Sequence, residues 1–130
     1  MIRILLDTNA YSAFKRGDSS VIDQIARADE ILIPVPVLAE LRVGFRAGSK
    51  EKQNLDELEA FLSSKRVSIP SMGEQTALFY AQVFSTLKQR GMPIPLNDVW
   101  IAACTLEAGA ILISYDAHFQ NIDSLMINLT

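Results

Sequence analysis

The sequence predicts an α/β protein: a three-layer α/β/α arrangement around a central, mostly parallel sheet of four to five strands. Short apolar runs alternate with stretches of helical periodicity along the whole chain. The runs are apolar throughout rather than every second residue, the pattern of strands covered on both faces. The 130 residues, 49% of them hydrophobic, suit one domain spanning 1–130 with a sizeable core. No internal repeat, low-complexity tract or interdomain linker breaks the sequence.

Each element follows from local chemistry. Residues 2–6 form the first strand, and a helix at about 9–16 follows closely, capped by Asp7-Thr8-Asn9. Gly17 to Ser20 make a turn and the start of a short helix with Val21, Ile22 and Ile25 on one side. "ILIPV", residues 31–35, is the second strand, ended by Pro34 and Pro36. A helix runs from about Val37 to Ala47, with Leu38, Leu41 and Phe45 on its inner arc and Gly48 as its stop. Leu55, Leu58, Phe61 and Leu62 share a face of a fourth helix, and "RVSIP" is a short third strand. The fifth helix spans about Glu74 to Arg90, with Ala77, Leu78, Ala81, Phe84 and Leu87 expected inward. "MPIPL" is an extended connection, after which Asn97 caps "DVWIAACTLEAG". That helix is apolar nearly all round, so it belongs at the centre. "AILIS" is the fourth strand and "LMINL" a fifth.

Composition narrows the function classes. Cys104 is the only cysteine, so no intrachain disulfide forms and a reducing interior is the simplest setting. The apolar run after Arg3 is stopped by Asp7, which is not the layout of a signal peptide. The most apolar segment, "VWIAACTLEAGAILI", contains Glu107 and a glycine, too broken for a membrane span. A soluble, cytoplasmic protein with no membrane partner is expected. The net charge of −3 argues mildly against coating nucleic acid by charge alone, unless several acids are metal ligands.

The acids are the chemically suggestive residues. Sites in open parallel sheets form beyond the carboxyl ends of the strands. Asp7 follows the first strand directly, and Asp116 follows "AILIS" by two residues. Asp98 opens the helix that leads into that strand, and Glu40 lies near the start of the helix after the second strand. A parallel sheet brings all four to one rim. Singly, each has a structural role open to it: Asp7 and Asp116 as N-caps, Asp98 as a helix-dipole partner, Glu40 as a solvated face residue. Jointly, clustered carboxylates repel one another unless a cation sits among them. Carboxylates without a thiol or several histidines suit a hard ion such as Mg²⁺ or Mn²⁺.

Thr8, Asn9 and Ser114 are placed either to hold the carboxylates by hydrogen bonds or to serve as turn and cap residues. Arg42 and Arg46, four apart, either contact a substrate phosphate or form a solvated helix face, and Lys15, Arg16, Lys50 and Lys52 are less specific still. His118, the one histidine, is expected as a half-exposed turn residue. Phe14, Phe45 and Trp100 are expected in the core rather than as base-stacking platforms. No nucleophile triad or glycine-rich phosphate loop can be assembled.

Four motifs, "ILLDTN", "PVLAELRVG", "LNDVWIAAC" and "ILISYDAHF", stand in an order and spacing that resemble the PIN-domain ribonucleases. The whole chain is similar in size and layout to the small bacterial toxins of the VapC type. The resemblance implies a PIN-like sheet flanked by helices and an acidic pocket holding one or two Mg²⁺ or Mn²⁺ ions. It implies a metal-dependent endoribonuclease acting on RNA, inhibited by a cognate antitoxin protein and usually a homodimer. By position, Asp7, Glu40, Asp98 and Asp116 match the family's four acids, and Asn9 and Ser114 the polar residues that support them. The last motif departs from the family in Ala117 and His118, where an arginine or a second acid is common. Residues 49–75 carry no family signature and are assigned to dimer or antitoxin contact.

The expected reaction is hydrolysis of an RNA phosphodiester. Asp7 and Asp98 would hold the ion, Glu40 would orient the water or accept its proton, and Asp116 would complete the site. Two other functions fit the same acids: a PIN-like protein-interaction module without catalysis, and a metal-dependent phosphatase acting on small phosphoesters.

Overall fold

Strand β1 (Arg3–Leu6) is the middle of the sheet, and its burial shows why. Ile4, Leu5 and Leu6 point alternately to opposite faces, yet all three are at most 2% exposed. Both faces are therefore covered. The computed structural model describes residues 1–129. After β1 come α1 (Thr8–Lys15), α2 (Ser19–Arg27), β2 (Glu30–Leu32), α3 (Val35–Ala47), α4 (Glu51–Leu62) and β3 (Val67–Ser68). The second half contains α5 (Glu74–Gln89), α6 (Leu96–Ala108), β4 (Ile111–Ser114), a 3₁₀ helix at Ala117–Asn121 and β5 (Ile127–Leu129).

The strands lie in the order β3-β2-β1-β4-β5, and every neighbouring pair is parallel. Leu5 of β1 pairs with Leu32 on one side and Leu112 on the other. The chain first builds outward from β1 through β2 to β3, then crosses back to add β4 and β5 on the opposite side. The direction of winding thus reverses between β1 and β4. A crevice opens at such a reversal beyond the carboxyl ends of the strands. The α/β class and the five parallel strands agree with the sequence expectation.

Several boundaries and one helix face differ from it. Strand β2 ends at Leu32, and α3 already begins at Val35. Pro34 occupies its N-cap position and Pro36 lies in its first turn, where proline is tolerated because those N–H groups have no helical partner. Helix α6 begins at Leu96, not at an Asn97 cap. Asn97 instead donates from Nδ2 to the Pro36 carbonyl at 3.2 Å, joining the starts of α6 and α3. The 3₁₀ helix at 117–121 had no periodicity to announce it. Its Phe119 is completely buried.

On α5, Thr76, Val83 and Leu87 are buried against the core, whereas Leu78 and Phe84 are 52% and 39% exposed. Two overlapping apolar arcs run along this helix, and only packing against α6 selects between them. Tyr80 lies at the junction, its ring 4.2 Å from that of Trp100 on α6. On the other side, Tyr11 of α1 meets Phe61 of α4 edge-on at 5.4 Å, and Phe14 packs against the same ring. No helix among the described residues is long and apolar enough to cross a membrane.

Candidate active site

Asp7 ends the apolar run of β1 and is 3% exposed. Both of its oxygens have donors. Oδ1 accepts the Ala10 N–H at 2.8 Å, making Asp7 the N-cap of α1. Oδ2 accepts the Ser114 hydroxyl at 2.5 Å. Ser114 ends the neighbouring strand β4, and its Oγ in turn accepts the Asp116 N–H at 2.9 Å. One buried hydroxyl therefore fixes two acids that are far apart in the chain. Burial pushes the Asp7 carboxyl up to about 6; the bonds from Ser114 and Ala10 pull it down, and the charges of Asp116 and Asp98 raise it further.

Asp98 lies in the first turn of α6. Its carboxyl is also held above the usual range, chiefly by burial. The attraction and hydrogen bond of His118 lower it, while Glu40 and Asp116 raise it. His118 Nε2 lies 2.9 Å from Asp98 Oδ2. Asp116 occupies the N-cap position of the 3₁₀ helix, but its side chain makes no capping bond. Asp98, Asp116 and His118 each offer a ligand atom, and these three atoms lie within 4.8 Å of one another. Glu40 sits on the exposed side of α3, where its Oε1 accepts the Thr8 hydroxyl at 2.7 Å.

The four acids thus lie near one another beyond the carboxyl ends of β1 and β4. Asp7 interacts with Asp116 and Asp98, and Asp98 interacts with Glu40. Among the described residues, no lysine or arginine forms an ion pair with any of them. Buried, mutually repelling carboxylates without a resident cation are costly, and a divalent ion relieves that cost. Carboxylate oxygens with one imidazole form a donor set that fits such an ion.

A family model described as the PIN domain matches residues 4–125. The chain belongs to the PIN-domain family. It is 31% identical over 128 residues to Ribonuclease VapC2 of Rickettsia felis, covering 95% of this chain and 94% of that protein. It is 31% identical over 126 residues to Ribonuclease VapC1 of Haemophilus influenzae, covering 93% of this chain and 92% of the relative. Among solved structures, VapBC2 from Rickettsia felis, bound to a promoter DNA fragment, superposes with a TM-score of 0.88 at 28% identity, covering 99% of each chain. VapBC-1 from nontypeable Haemophilus influenzae gives 0.85 at 27% identity, over 99% of this chain and 98% of that one. Ribonucleases of the PIN-domain family need a divalent metal, and the donor set here meets that need.

In this PIN domain two of the three polar residues expected to support the acids, Ser114 and Thr8, hydrogen-bond to a carboxylate, and Asn9 does not. Ser114 braces Asp7 and Asp116, whereas Thr8 holds Glu40. Asn9 is exposed on α1, and its side chain makes no hydrogen bond among the described residues. Arg42 and Arg46 are exposed on α3. Arg46 faces Glu51 at 3.9 Å with its side chain 81% exposed, and Arg42 lines a groove toward α4. His118 is more than a turn residue, since it bonds to Asp98. Its position two residues after Asp116 was the available signal, but a lone histidine in a turn does not reveal where its ring points.

Proposed function

We propose that this chain is a metal-dependent endoribonuclease, the toxin of a toxin–antitoxin pair, acting as a single domain over 1–130. Asp7, Glu40, Asp98 and Asp116 are its catalytic carboxylates and hold one or two Mg²⁺ or Mn²⁺ ions. The supporting observation is the convergence of four acids without a lysine or arginine partner where the sheet reverses its winding, with Asp7 buried among them. The names of its relatives, Ribonuclease VapC2 and Ribonuclease VapC1, point to the same activity. The VapBC complexes among its structural neighbours point to a cognate antitoxin as partner. A homodimer and a cytoplasmic location belong to the same proposal.

When bound, the ion supplies an activated water and neutralises charge on the phosphate. The protein groups have distinct tasks around it. Asp7, gripped at both oxygens, keeps a single orientation and forms the rigid wall of the site. Asp98 and Asp116, whose ligand atoms lie within 4.8 Å of each other, complete the negative cup. Glu40 is the exposed acid, so it faces the side from which RNA arrives. Thr8 occupies its Oε1, and Oε2 is the atom assigned to take the proton from the attacking water. Arg42 and Arg46, on the same helix, are assigned to the RNA backbone rather than to the reacting phosphate.

RNA cleavage with Mn²⁺ or Mg²⁺ by the wild type, Asp7→Asn and Asp98→Asn tests this function. Loss of one such carboxylate is expected to cost ~3 kcal/mol of transition-state stabilisation, a rate drop on the order of 100-fold. Cleavage at the wild-type rate by either variant would refute the assignment of that acid.

A further inference from the structure

We infer that His118 is a nitrogen ligand of the metal site and tilts its preference from Mg²⁺ toward Mn²⁺. This rests on the four-acid site proposed above and adds a nitrogen donor to it. The 3₁₀ helix that carries His118 is pinned by its neighbour Phe119, which is fully buried. The imidazole packs against the Phe119 ring, with centroids 4.9 Å apart, and its side chain is only 32% exposed. The ring is therefore held in place rather than free in solvent.

A hydrogen bond to Asp98 alone would account for one contact at 2.9 Å. It does not account for the second carboxylate. Ligand atoms from Asp98, Asp116 and His118 all lie within 4.8 Å of one another. Donors sharing one ion at bond lengths of about 2.1–2.2 Å are at most about 4.4 Å apart. The three atoms thus need only small shifts to meet on one ion. To ligate through Nε2, His118 would carry its proton on Nδ1, and its bond to Asp98 would give way to the bond to the ion. Mg²⁺ is bound almost wholly by oxygen, whereas imidazole nitrogen suits transition ions. A site with this nitrogen consequently discriminates in favour of Mn²⁺ more strongly than an all-oxygen site.

The chain contains one histidine, so any imidazole nitrogen bound to the ion must come from His118. Electron spin-echo spectroscopy of the Mn²⁺-loaded protein is expected to show nitrogen modulation, absent in His118→Ala. Calorimetric titration of the metal-free proteins is expected to show Mn²⁺ affinity falling on the order of tenfold or more in His118→Ala, with Mg²⁺ affinity little changed. Mn²⁺ binding to the wild type without nitrogen modulation would overturn the inference while leaving the four-acid site intact. Equal losses of both ions in the variant would do the same, reducing His118 to a partner of Asp98. Failure of the wild type to bind Mn²⁺ would sink the four-acid site itself, and this inference with it.

Discussion

In the proposed site, Asp7 shows most clearly how a single residue is placed at a cost in stability. Its carboxyl is raised from 3.8 to about 6, so the folded protein holds the proton more tightly than the unfolded chain does. The resulting penalty is absent below the unfolded value and complete above about pH 6. It amounts to at most about 3 kcal/mol. The contribution of this group therefore makes the metal-free protein less stable as pH rises from about 4 to about 6. Asp7→Asn keeps an oxygen for Ala10 and a polar group for Ser114 but carries no charge. The metal-free variant is expected to be more stable than the wild type at pH 7 and no more stable near pH 4. Denaturant unfolding at both pH values checks this, and a difference independent of pH would contradict it. Asp7 was legible in the sequence because an acid that terminates an apolar strand is conspicuous. His118 was not, because its bond to Asp98 depends on the direction of one ring in a turn that leaves no periodic trace.

At the scale of elements, the same contrast separates the strands from the short helix. Strands β1 and β4 were legible because burial on both faces demands an unbroken apolar run. The inner face of α5 was not, because Leu78 and Phe84 are as apolar as Val83 and Leu87 and only contact with α6 decides which are covered. The 3₁₀ helix at 117–121 has little backbone stability of its own. Phe119 anchors it, and Asp116 and His118 are both carried at its N-terminal end, Asp116 as the N-cap and His118 as the second residue. Phe119→Ala is expected to cost about 3–5 kcal/mol and to weaken Mn²⁺ binding although it removes no donor. Leu58→Ala, at a buried position on α4, a helix that carries none of the acids, should cost about 2–5 kcal/mol and leave Mn²⁺ binding near the wild-type value. Denaturation midpoints and calorimetry on the two variants separate general destabilisation from loss of the anchor. Equal effects on metal affinity would refute a special role for the 3₁₀ helix.

For the molecule as a whole, site and fold are inseparable. The four acids come from segments at both ends and in the middle of the chain, and the Ser114–Asp7 bond alone spans 107 positions. No local piece of chain contains the site, so the unfolded protein has none to offer. An ion that binds only the folded state stabilises it by mass action, by about 2.7 kcal/mol at 100 times its dissociation constant. The melting temperature is accordingly expected to rise with the logarithm of Mn²⁺ concentration in the wild type and to stay nearly level in Asp98→Asn. The size of this shift must depend on pH, because burial holds the carboxyls of Asp7 and Asp98 above the usual range and protons compete with the ion there. At pH 5 Asp7 is mostly protonated and the ion has to displace that proton; at pH 8 it is ionised and does not. The Mn²⁺-induced shift should therefore be small at pH 5, grow through about pH 6 and level off by pH 8. Thermal unfolding across that range, with and without Mn²⁺, measures it directly. A shift of the same size at pH 5 and pH 8 would mean that the ion binds elsewhere.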